Sequence, residues 1–229
     1  MAVIYFGGCS ITMGTGFDSQ QQDPRIYPNL VKTNDDQVIN DAEGGSSNFK
    51  IFNKAAKAII DNHADIYVVQ WSAVHRHWVY PAPNKGIYLG SIPEKNEYKD
   101  FVLQYQSLNH DYPNLMNVID YSRILVDIAQ HHNAMIVFVN GMLWWKPDWD
   151  NEYMRGLLKG LTTTEKQDFI ERLDNNIELL DADCWANIYK SIIEMQIDDA
   201  PLDNHPGPNT HKQIAQHITK TINTLRNKK

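Results

Sequence analysis

The chain has 229 residues, 42% of them hydrophobic and 21% charged, with a formal net charge of −7. That composition suits a globular chain with a core of its own, and the acidic balance excludes nucleic acid as a main partner, because phosphate recognition needs clustered Lys and Arg. No apolar run reaches the roughly 18 residues of a membrane span.

In chain order, Val3 to Phe6 is a short apolar run stopped by Gly7-Gly8, which reads as a buried strand and a tight turn. Met1-Ala2 enters this run without a basic segment and an apolar leader, so the expectation is a cytoplasmic chain. Gln37 to Asn40 is a second strand candidate. Asn48 to Asn62 has helical apolar spacing, and Ile66 to Trp71 is a third strand, rich in β-branched and aromatic residues. Leu115 to His132 reads as a helix and Ala134 to Val139 as the clearest strand. Thr164 to Leu173 and Asn209 to Leu225 read as helices. Between Asp174 and Pro201 the expectation is one helix near Trp185 to Met195 and a short strand. Strands alternating with helices point to an α/β fold, a parallel sheet with helices on both faces, within one domain over 1–229. Two long connections, 72–114 and 141–163, leave the C-terminal ends of strands, where open α/β sheets bind ligands.

Three segments could carry chemistry. Gly7-Gly8-Cys9-Ser10-Ile11-Thr12-Met13-Gly14 places a serine directly after the first strand, inside a glycine-rich turn. A following helix would favour negative charge beside it. The plain alternative is an N-cap serine; a phosphate loop is opposed by the absence of its Lys-Ser/Thr pair. Near the other end, Leu202-Asp203-Asn204-His205-Pro206-Gly207-Pro208 holds a histidine in a Pro/Gly turn, with a carboxylate two residues before it. A nucleophilic serine needs such a base, and the base needs an orienting acid. An ordinary turn is the alternative. The third segment is Val38-Ile39-Asn40-Asp41-Ala42-Glu43-Gly44-Gly45-Ser46-Ser47, after the second strand. The histidines show no spacing typical of a zinc site, so no metal is expected, and Cys9 and Cys184 read as free thiols.

Together, and in this order, the segments resemble the SGNH, or GDSL-like, hydrolases. The first block matches with Cys9 where Asp is usual. The last matches with one residue between Asp203 and His205, where two are commoner. By spacing from Asn40, Gly45 takes the position of the glycine whose N–H joins the oxyanion hole, with Gly44 as the fallback. After the third strand the family has an Asn that donates to the oxyanion; here Gln70-Trp71-Ser72-Ala73 puts Ser72 there, with His75 and Arg76 as neighbouring substitutes.

The resemblance implies a three-layer α/β/α sandwich with a flavodoxin-like parallel sheet of about five strands. It also implies a serine esterase without a cofactor, with Ser10 as nucleophile, His205 as base and Asp203 as acid. The substrate is expected to be a small-molecule or glycan ester. Aromatics crowd the long connections: Trp71, Trp78, Tyr80 and Tyr88 on one, Trp144, Trp145, Trp149 and Tyr153 on the other. Such rings either pack the loops down or, beside Arg76, His77 and Asp148, form a platform for a sugar. Beside these rings the aliphatic Leu89, Ile92 and Met142 are few for lining an acyl groove, which favours a short acyl group, acetyl first, on a carbohydrate. A lipase or thioesterase for longer chains and a weakened binding module are the alternatives, with a flavodoxin-like nucleotide binder as a further rival.

Overall fold

In the computed structural model, the residues described are 2–31, 35–74, 76, 78–82, 85–88, 111–142, 162–164, 167, 171, 182–187 and 190–228. Four strands form a parallel sheet: β1 (Val3–Gly7), β2 (Gln37–Asn40), β3 (Ile66–Trp71) and β6 (Met135–Asn140), in the order β2-β1-β3-β6. β1 pairs with β2 from Val3↔Gln37 to Phe6↔Asn40, and β3 pairs with β6 from Ile66↔Met135 to Trp71↔Asn140. Every residue of β3 and β6 is buried. That explains why these two strands read as unbroken apolar runs rather than alternating ones: both faces are covered.

The covers are helices. α3 (Asn48–Ile60) and α4 (Asp111–His131) pack on each other, and α5 (Pro208–Arg226) packs on the short α2 (Tyr27–Val31) and on β6. Ile51, Ala55, Ala58 and Ile59 form the buried stripe of α3; Ile214, Ala215, Ile218 and Ile222 form that of α5. This 3.6-residue spacing places one apolar face on the sheet. The arrangement is the α/β sandwich expected from the sequence.

Among the described residues the sheet has four strands where about five were expected, and only an isolated bridge stands beyond β6. Trp185 bridges in parallel to Phe138, Ala186 N–H donates to the Phe138 carbonyl at 2.9 Å, and the Asn187 amide pairs with both main-chain groups of Asn140 at 2.9 Å. The helix expected near Trp185 to Met195 does not form among the described residues; a 3-10 turn at Ala182–Cys184 leads into this edge and then into turns. The apolar residues Ile192 and Met195, three apart, are buried by turns rather than by a helical stripe. The connection after β3 also contains more than a loop. β4 (Trp78–Ala82) and β5 (Lys85–Tyr88) pair antiparallel, with a register shift between Val79 and Ala82. Of the helix expected at Thr164–Leu173, most lies outside the described residues, as does nearly all of the 141–163 connection. Among the described residues no helix is long and apolar enough to cross a membrane.

Candidate active site

β1 ends at Gly7, and Ser10 opens the four-residue helix α1 (Ser10–Met13), with Cys9 as its N-cap in extended conformation. The first N–H groups of such a turn have no acceptor within it. Ser10 is 7% exposed, so its hydroxyl is held in place and still reachable.

The second half of the site comes from residues 198–207, folded back on themselves by an Asp199↔Pro206 bridge and by the Ala200 N–H on the His205 carbonyl at 2.7 Å. Asp198 fastens this loop to α5. Its carboxylate accepts from the Asn209 N–H, the Thr210 N–H and the Thr210 hydroxyl, at 2.9, 2.9 and 2.7 Å. Leu202 N–H donates to the Gly16 carbonyl at 3.0 Å, which fastens the loop to the chain just after α1.

The two halves meet. His205 Nε2 lies 3.1 Å from Ser10 Oγ, and His205 Nδ1 lies 2.9 Å from Asp203 Oδ2. A neutral imidazole with its proton on Nδ1, facing the carboxylate, presents an Nε2 lone pair to the serine hydroxyl. The other oxygen of Asp203 accepts the main-chain N–H of His205 at 2.9 Å. One carboxylate therefore orients both the ring and the backbone of the same histidine, which is how the short Asp-x-His spacing closes.

His211, the other histidine of this region, has a different position. It is buried, stacks on Tyr27, and accepts the Tyr27 N–H on Nδ1 at 3.1 Å. Burial pushes its pKa down to about 4.

The segment after β2 runs beside the nucleophile turn. Asn40 Nδ2 donates to the Thr12 carbonyl at 2.9 Å, Glu43 N–H donates to the Gly8 carbonyl at 3.2 Å, and Gly44 lies against Met13. Gly45 follows with φ +72°, a left-handed conformation that suits glycine. At the end of β3, Ser72 is fully buried. Its N–H donates to Asn48 Oδ1 at 2.7 Å and its carbonyl accepts from Asn48 Nδ2 at 3.1 Å, while its hydroxyl has no partner among the described residues. Arg76 lines a cavity formed with α3 and α4, and none of Ser10, Asp203 and His205 is in its described lining. Trp71 is not an open platform ring either. It is 0% exposed and stacks on Phe138, because it ends a strand covered on both faces. Met142 is half-buried against the core. His75, His77, Leu89, Ile92, Trp144, Trp145, Asp148, Trp149 and Tyr153 lie outside the described residues, as do the side chains of Trp78, Tyr80 and Tyr88.

No protein-family profile and no curated protein matches the chain. Solved structures do, over nearly its whole length and at low identity. A protein described as lipolytic and of the G-D-S-L family, from Desulfitobacterium hafniense DCB-2, is 8% identical with a TM-score of 0.51, covering 96% of this chain and 98% of its own. TesA is 11% identical with a TM-score of 0.53, covering 97% and 99%. A catalytic mutant of Axe2, an acetylxylan esterase from Geobacillus stearothermophilus, is 12% identical with a TM-score of 0.51, covering 96% and 94%. The chain has the SGNH/GDSL-like fold.

Within this SGNH/GDSL-like fold, several residues that sequence reasoning overlooked hold the Ser10 turn. Gln70 is fully buried, and its Oε1 accepts from the Cys9 N–H at 3.2 Å, the Cys9 thiol at 3.3 Å and the Thr12 hydroxyl at 2.8 Å. Since Thr12 donates there, the Tyr27 hydroxyl, 2.5 Å away, donates to Thr12. Burial pushes the Tyr27 phenol far above its usual range, which keeps it a donor. Cys9 thus has a structural partner, and its thiol is sealed from solvent. Gly16 is the other omission. Its φ is +91°, and a Cβ there would lie 2.3 Å from Asp203 Oδ1 and 2.6 Å from Ala200 Cβ. The glycine lets the acid pack directly on the backbone. Its sequence signal, Gly14-Thr15-Gly16, was visible, but its partner lies nearly the whole chain away.

Proposed function

We propose that the chain is a serine esterase acting by two-step acyl transfer. The observation that carries this reading is the hydrogen-bonded chain Ser10–His205–Asp203 at 3.1 and 2.9 Å. Ser10 Oγ attacks the ester carbonyl carbon as its proton passes to His205 Nε2, and Asp203 stabilises the imidazolium. The tetrahedral intermediate collapses, the leaving alkoxide takes the proton from Nε2, and an acyl-serine remains. Water, deprotonated by His205, then releases the carboxylic acid and restores the Ser10 hydroxyl. The developing oxyanion is held by the main-chain N–H groups of Ser10 and Gly45, and the Ser72 hydroxyl, enclosed and without a partner among the described residues, is the third donor once bound substrate opens access to it. No step requires a cofactor.

The acyl group is short, acetyl first, and the alcohol is a carbohydrate. Support comes from the tryptophan and tyrosine residues that crowd the long connections and from the likeness to an acetylxylan esterase. Leu202, 66% exposed directly before Asp203, favours a second reading in which longer acyl chains lie along this loop.

A fluorophosphonate probe with turnover assays tests both levels. The wild type is expected to be labelled and to release acetate from acetylated glycans, and Ser10→Ala to lose labelling and turnover with its fold intact. Labelling that survives in Ser10→Ala and vanishes in Cys9→Ala would move the nucleophile to the thiol. Much faster cleavage of p-nitrophenyl octanoate than of the acetate, with no acetate from glycans, would replace the carbohydrate reading with the long-chain one.

A further inference from the structure

Arg76 occupies an unusual electrostatic position. Its guanidinium has neither a hydrogen bond nor an ion pair among the described residues, and Nη1 is enclosed without a partner. The group lines a cavity of about 530 Å³ that also touches Phe49, Val74, Asn117 and Tyr121. That volume is in the range of small-molecule sites. None of Ser10, Asp203 and His205 lines it.

The charge balance of the cavity selects the ligand. Two other cations, Lys50 and Lys54, reach its wall, and both are compensated: Lys50 by Glu43 at 2.5 Å and Lys54 by Asp41 at 2.8 Å. Among the described lining residues, Arg76 is left as the uncompensated cation. Arg76 is only partly buried and lines the cavity, so an acceptor bound there can pair with a charge that no described residue neutralises. A single guanidinium, whose fork matches a planar two-oxygen acceptor, suits one negative charge. Among the described lining residues, Phe49, Val74 and the Tyr121 ring supply an apolar wall beside it. That ring is fixed by stacking on Phe52 at 4.5 Å. The Tyr121 hydroxyl and the Asn117 amide offer polar contacts beside it.

We propose that this cavity, between the start of α3 and the α4 face, is a binding site for an organic monocarboxylate with a ring-sized body, its carboxylate held by Arg76. Two sources share that chemistry, an acidic sugar unit and a free aromatic acid. The site stands apart from the acyl-transfer reading, because binding there is measured without turnover.

Isothermal titration tests it with two matched pairs: glucuronate against glucose, and benzoate against benzamide. The carboxylate of at least one pair is expected to bind about tenfold or more tighter than its neutral partner, in line with a charge-assisted pair. Binding by glucuronate alone assigns the site to acidic sugars, by benzoate alone to aromatic acids. Arg76→Gln is expected to reduce the carboxylate to the affinity of its neutral partner. Phe49→Glu gives a second handle if Arg76→Gln fails to fold. Phe49 is 61% exposed, in the first turn of α3, so the change leaves the core untouched and puts a like charge at the cavity; it is expected to weaken the carboxylate by about tenfold as well. Neither carboxylate binding at millimolar concentration, or a folded variant binding it as the wild type does, overturns the proposal.

Discussion

Asp203 uses both carboxylate oxygens on one histidine, and Gly16 is what lets it lie there. Any side chain at Gly16 would collide with Asp203 Oδ1. Gly16→Ala is therefore expected to lower kcat on the order of 100-fold with little change in KM, the usual cost of displacing a catalytic group by about an ångström. The check is a double-mutant comparison: on an Asp203→Ala background the same substitution should cost little more. Ser72 offers a second residue-level test. Its buried hydroxyl has no partner among the described residues, so Ser72→Ala is expected to stabilise the fold by about 1 kcal/mol. If the hydroxyl donates to the oxyanion, kcat falls at least about tenfold in the same variant. A raised Tm with unchanged kcat would remove Ser72 from the oxyanion hole. At this scale the sequence was informative about polar residues that stand next to one another, Ser10 in its glycine turn and Asp203 beside His205. It was silent on Gln70, Asn48 and Gly16. Their roles consist of contacts with residues far away along the chain, and their own neighbours carry no trace of them.

At the scale of elements, the turn after β3 is held by one amide. Asn48, the first residue of α3, pairs with both the N–H and the carbonyl of Ser72. Asn48→Ala leaves both groups buried and unpaired, and is expected to cost about 1–3 kcal/mol in urea unfolding. It should also lower kcat if Ser72 is an oxyanion donor, because the turn that aims it is released. The strands and long helices were legible because burial imposes a period. Ile66–Trp71 and Met135–Asn140 are apolar throughout because they are central, and α3 and α5 repeat every three to four residues because one face is covered. The edge at Trp185 was not legible. It is held by a single bridge and by the Asn187 amide acting as a strand would, and a contact of that kind has no period. The hairpin β4–β5 was obscured by Pro81 within the first strand and Pro83 just beyond it, residues that usually end a run.

Across the whole molecule, His211 ties α5 to α2 under the catalytic loop as a neutral ring. Its folded pKa of about 4, set first by burial, lies below the ordinary 6.5. Between those values the unfolded chain binds the extra proton and the fold does not. The stabilisation is thus complete above about pH 6.5 and is lost progressively as the pH falls towards 4. The loss is expected to reach about 3 kcal/mol at the lower end. Urea titrations at pH 7 and pH 4.5 check it: His211→Asn should be less stable at pH 7 and should have a smaller difference between the two. The separation of 195 positions between Ser10 and its hydrogen-bond partner His205 has a consequence for synthesis. A chain emerging from the ribosome can assemble β1, β2, β3 and β6 while Ser10 still lacks a proton acceptor, because domains form progressively from the N-terminal side. Only when residues 198–207 and α5 have emerged and docked does the hydroxyl gain its partner. Nascent fragments would then carry an inert serine, and reactivity towards a fluorophosphonate would appear as a late, single step that reports completion of the fold.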